Sequence, residues 1–108
     1  MITIGEVRKA FRNKVFFSAH AARRMAQRSI SPEDIRRLLK HPVCWAEYEG
    51  HPDTLRIDGE IKDKGYCGFA VAISTYEGKS VAVVITVMDD VRIQKRVKIA
   101  KERGKRHG

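Results

Sequence analysis

The feature that most constrains the fold is a change of hydrophobic period at Pro42. Before it, apolar residues recur at helical spacing behind good caps. After it, β-branched, aromatic and small apolar residues run in strand-length blocks between turn residues. Ile4, Val7, Ala10 and Phe11 mark a first helix in TIGEVRKAFRN, with Thr3 as its cap. Ser18 caps a second helix, with Phe17 and Ala22 placed as a weak hydrophobic staple, and this helix is expected to end near Arg28. Ser31 caps a third, with Pro32 at its first position and Glu33 and Asp34 in its first turn. Ile35, Leu38 and Leu39 form its core stripe, and His41–Pro42 stops it.

Beyond Pro42 four strands are expected, over Val43–Glu49, Thr54–Asp58, Tyr66–Ser74 and Ser80–Met88. Gly50 with Pro52, Asp58–Gly59, Asp63–Lys64–Gly65 and Glu77–Gly78 read as the turns, and such short connections favour antiparallel neighbours. Val81–Val87 is nearly continuous apolar sequence, as in a central strand covered on both faces; Thr86 is its exception. The fold expected is therefore α+β, with N-terminal helices packed on a four-stranded antiparallel sheet, in a single domain over residues 1–90.

Charge divides the chain differently. Of the net charge of +9, residues 91–108 hold +7, with eight Lys and Arg against one Glu, while residues 1–90 hold only +2. Ile93, Val97 and Ala100 keep helical spacing, so part of this tail is expected to be helical, with Gly104–Gly108 disordered. A basic tail argues for a polyanionic partner, of which nucleic acid is the commonest; an acidic protein is the alternative. Arg92, Lys95, Arg96 and Lys98 are its candidate RNA-backbone contacts. The start has no signal-peptide pattern, and no apolar run approaches the ~18 residues of a membrane span. Cys44 and Cys67 form no C-x-x-C pattern and read as small buried hydrophobes. His41, Cys44, His51 and Cys67 match no zinc spacing, and no cofactor motif is present. A cytoplasmic protein with reduced thiols, no cofactor and no membrane partner is expected.

The candidate chemistry lies in FFSAHAARRMAQRSI. His20, Arg24 and Arg28 stand four residues apart and stack along one helical face, flanked by Gln27 and Arg23. Ala21, Ala22, Met25 and Ala26 occupy the apolar arc. Near the helix start, the dipole and the following arginines disfavour the imidazolium, which leaves a neutral imidazole able to act as a general base. Two arginines one turn apart can hold a phosphate. The same pattern also fits a solvated basic helix face, and Thr86 also fits a hydrogen-bonded core threonine. Glu47, Tyr48 and Lys62 are the residues that would complete a cleft if the fold brought them near.

The segment from Phe17 to Val87, roughly two-thirds of the chain, resembles a prokaryotic family of small domains of unknown function. Its hallmarks are a helix H-x-x-x-R-M-x-x-R-x-I, matched by His20, Arg24, Met25, Arg28 and Ile30, and a last strand V-I-T-V, matched by Val84–Val87. That family is similar to the RelE-like toxins, within a wider group of metal-independent nucleases that includes barnase and EndoU. The resemblance implies a RelE-like sheet with RNA bound on its exposed side. It makes His20 an acid or base, Arg24 and Arg28 phosphate binders and Thr86 a contributor from the last strand, with Arg23 and Gln27 as further RNA contacts. It also implies RNA, free or on the ribosome, as substrate and an acidic antitoxin as partner. Met88 stands where the family usually has an aromatic residue.

Overall fold

A computed structural model of the chain describes the backbone of residues 2–88 and 91–107, and the side chains of these except 91–93, 96 and 104–107. Three helices come first: α1 (Ile4–Asn13), α2 (Ala19–Arg28) and α3 (Pro32–Lys40), with a short strand β1 (Val15–Phe17) between the first two. Their starts follow from the caps read in the sequence. Thr3 and Ser31 each close a capping box, with Glu6 and Asp34 returning the bond, and Ser18 Oγ accepts from the Ala21 N–H at 3.0 Å. The strands β2 (Cys44–Tyr48), β3 (His51–Ile61), β4 (Gly65–Tyr76) and β5 (Lys79–Met88) follow, then α4 (Val91–His107). At the β4–β5 turn Glu77 and Gly78 both take positive φ, 51° and 76°, between the paired residues Tyr76 and Lys79, the twist a two-residue hairpin requires.

The sheet has five strands among the described residues rather than the four expected, in the order β1-β5-β4-β3-β2. It is also mixed. β1 runs parallel to β5, pairing Val15–Phe17 with Ala82–Val84, while every other pair is antiparallel. A three-residue strand whose partner lies 67 positions away leaves no periodicity to read. Asp58–Gly59 is a second correction: it lies inside β3 and is not a turn. Gly59 is buried where a Cβ would come 3.0 Å from Leu38 Cδ2, so its missing side chain leaves room for the end of that leucine from α3.

The helices α1, α2 and α3 pack on one sheet face. Leu55, Ile57 and Ile61 of β3, Cys67, Phe69 and Val71 of β4, and Ala82, Val84 and Val87 of β5 meet Val7, Phe11, Met25, Ile35 and Leu38 there. Phe11 sets its ring edgewise on Phe69 at 6.1 Å between centroids. The opposite face carries Arg56 and Asp58 of β3, Gly68 and Ala70 of β4, and Thr86 of β5, each facing its cross-strand partner. Helix α4 lies across it over β2, β3 and β4, with Val97 fully buried and Lys101 paired to Glu60. The C-terminal basic segment is therefore docked on the sheet through Val97. The expectation of disorder for Gly104–Gly108 falls partly outside the described residues; the backbone is helical to His107.

Candidate functional site

Helix α2 is pinned to the sheet at both ends. At its start, the Ser18 N–H donates to the Val84 carbonyl at 2.9 Å and Ser18 Oγ donates to the Ile85 carbonyl at 2.6 Å. At its end, Lys64 from the β3–β4 turn donates to the Ser29 carbonyl and to Asp34 Oδ2, the latter at 2.6 Å. Burial alone would raise the Asp34 carboxyl. Lys64 and the Ser31 N–H and hydroxyl outweigh it and hold the group below its ordinary range. The chain leaves α2 through Ser29 in a left-handed conformation, φ 56°, with the Ile30 N–H closing on the Met25 carbonyl at 2.9 Å.

Ala21 and Met25 turn to the core, which fixes the rotation of the helix. His20 and Arg28 are exposed and Arg24 is half-buried on the adjoining stripe, with Arg23 and Gln27 exposed beside them. Among the described residues, His20, Arg23, Arg24 and Gln27 make no side-chain hydrogen bond or ion pair.

The strand end beside this helix is irregular. Thr86 pairs with Ala70 while Val84 pairs with Val71, so Ile85 is an extra residue in β5. This bulge changes the parity of the strand. It lets Val84 and Val87 both enter the core although they are three apart, and it places Thr86 on the opposite face, half-buried, in a row with Ala70 and Arg56. The carbonyl of the bulged Ile85 accepts the Ser18 hydroxyl. β1 stops opposite Val84, so beyond that point β5 has no strand beside it on that edge among the described residues. The first turn of α2, with His20, thus stands next to the Ile85–Thr86 segment at an open sheet edge. Helix and threonine side chain approach that edge from opposite faces.

A model of the family described as a domain of unknown function, DUF4258, matches residues 17–98. The chain belongs to this family. In this DUF4258 domain the matched span starts one residue before Ser18 and takes in α2, the whole of β2–β5 and the first part of α4. No curated protein and no solved structure matches the chain.

The DUF4258 domain does not bring all of the sequence candidates together. Tyr48 and Glu47 lie on β2, the far edge of the sheet from β1 and α2, and Tyr48 stacks on His51 at 5.0 Å between rings. Lys95 and Lys98 are exposed on α4, and the side chains of Arg92 and Arg96 lie outside the described ones. Among the described residues no group of three or more His, Cys, Asp or Glu is arranged to hold a metal ion, and no helix is long and apolar enough to cross a membrane. Two features escape sequence reading. The first is the Arg56–Asp58 pair under α4, joined at 3.1 Å, in which Arg56 Nη2 is buried with no hydrogen-bond partner among the described residues. The second is a basic groove between α1 and α3, described below. The groove requires residues that only the folded chain places together, and the burial of the Arg56–Asp58 pair comes from α4.

Proposed function

We propose that this DUF4258 domain is a metal-independent endoribonuclease of RelE-like type, acting as the toxin of a toxin–antitoxin pair. The observation that supports the reading is the double hydrogen bond of Ser18 to Val84 and Ile85, which joins the start of α2, two residues before His20, to the strand segment that leads into Thr86. In the reaction, a ribose 2′-OH attacks the adjacent phosphorus and the bond to the 5′ oxygen breaks, leaving a 2′,3′-cyclic phosphate and a free 5′-OH. His20 serves one of the two proton transfers, either taking the 2′-OH proton or delivering one to the departing 5′ oxygen. Arg24 and Arg28 bind the non-bridging phosphate oxygens and offset the charge that builds on them. Thr86, on the face opposite α2, contributes its hydroxyl to RNA that wraps around the open edge of β5. Arg23, Gln27, Lys95 and Lys98, with Arg92 and Arg96, extend the contact along the RNA backbone, a part of the affinity that falls with salt. An acidic antitoxin is the implied protein partner.

The test is incubation of the purified protein in EDTA with total RNA and with translating ribosomes, alongside His20→Ala. Cleavage by the wild type with loss in His20→Ala, at retained RNA binding, is the expected result. Equal cleavage by both proteins excludes His20. Salt-sensitive binding without cleavage by either makes the domain a non-catalytic nucleic-acid-binding module.

A further inference from the structure

A groove of about 710 Å³ opens between α1 and α3. Arg8 and Arg12 of α1 form one wall, Arg36 and Lys40 of α3 the other, and Phe11 and Leu39 the floor. Within each wall the two cations are four residues apart, about 6 Å along their helix. All four are exposed, and among the described residues none is paired with a carboxylate. Of the acids of the same helices, Glu6 bonds Thr3 and Asp34 bonds Lys64, while Glu33 stands three residues before Arg36 without pairing to it. The floor is rigid, because Phe11 and Leu39 are 5% and 6% exposed and belong to the core. Arg8 Nη2 also donates to the Leu39 carbonyl at 3.2 Å and ties the two walls together.

We propose that this groove docks an acidic amphipathic helix from a protein partner. Four like charges around an apolar floor repel one another when the groove is empty, and carboxylates on both flanks of an inserted helix would relieve that repulsion. The aliphatic stems of the arginines and lysine, with the edges of Phe11 and Leu39, supply the surface for the helix's apolar stripe. A single-stranded nucleic acid fits less well, since a base needs an open aromatic face and Phe11 is turned into the core. The groove shares no residue with His20, Arg24, Arg28 or Thr86. The inference therefore stands apart from the nuclease reading.

The experiment titrates the isotope-labelled full chain and follows its backbone amides by NMR. Three probes are used: a stapled helical peptide with a leucine stripe flanked by glutamates, the same peptide with glutamines, and a single-stranded RNA oligonucleotide. The glutamate peptide should shift residues 8–12 and 36–40, and the glutamine peptide should not. Arg12→Glu combined with Arg36→Glu should weaken the glutamate peptide by about tenfold or more. Both positions are exposed, so an otherwise unchanged amide spectrum verifies the fold, and RNA cleavage by this double variant should equal that of the wild type. RNA shifting these amides in preference to the peptide overturns the proposal, as do equal binding of the two peptides and binding of neither.

Discussion

The two faces of the sheet are held in different ways. Under α1, α2 and α3 the buried contacts are apolar, from Val7 and Phe11 through Phe69 to Val84 and Val87. The opposite face presents Arg56, Asp58 and Thr86, and α4 crosses its β2–β4 part, where Val97 is fully buried among the described residues. The first face supplies the burial that makes this chain fold. The second buries a charged pair, Arg56 with Asp58, at a cost in stability that the apolar face does not carry.

Four probes can break that comparison. Phe69→Ala empties the centre of the first face and should cost about 3–5 kcal/mol, read as a lowered urea midpoint. Val97→Asp should cost about 2–3 kcal/mol, because it buries an unpaired carboxylate under α4. Hydrogen exchange should then speed up over α4 and leave α1, α2 and α3 protected. If every helix loses protection together, the two faces form one cooperative unit and the contrast fails.

A third probe puts the same change on both faces. A Cβ at Gly68 would fall 2.1 Å from Asp58 Oδ1, whereas at Gly59 the nearest atom is the flexible end of Leu38 at 3.0 Å. Gly68→Ala should therefore cost more, about 1–3 kcal/mol, and Gly59→Ala less, because the carboxylate is held by Arg56 and Leu38 can give way. Equal costs would mean that Asp58 moves as freely as a leucine methyl.

The smallest effect is acid sensitivity at the junction of α2 and α3. The Asp34 carboxyl sits below its ordinary range in the folded protein, so its stabilisation is present above the unfolded value and is lost as pH falls through the folded one. Lys64→Met should lower the urea midpoint near neutral pH. The two proteins should converge as Asp34 becomes protonated, and a constant gap down to strongly acid pH would assign the effect of Lys64 to packing instead.

The helices were legible because short-range chemistry decides them: Thr3, Ser18 and Ser31–Pro32 cap where they were expected to. β2, β3, β4 and β5 were legible from β-branched and aromatic runs, with ends displaced by a few residues. β1 was not, because Val15–Phe17 becomes a strand only once β5 is beside it. Gly59 misled for a related reason: a glycine beside an aspartate looks like a turn until α3 is packed against it. At the candidate site, the ladder of His20, Arg24 and Arg28 could be placed on one helix face from spacing. That the helix starts against the bulged strand could not be read, since it depends on the irregularity at Ile85 and on a bond from Ser18 across 67 positions of sequence. The basic groove was out of reach too, because its two i,i+4 pairs sit on helices whose juxtaposition no local pattern records.

The most direct measurement is the end-group chemistry of RNA fragments made in EDTA by the wild type, His20→Ala and Arg24→Ala. Fragments with 2′,3′-cyclic phosphate and 5′-OH ends, made by the wild type and lost in both variants while RNA binding persists, would establish a nuclease site on α2. Fragments with 5′-phosphate ends, or the same fragments at the same rate from His20→Ala, would contradict it.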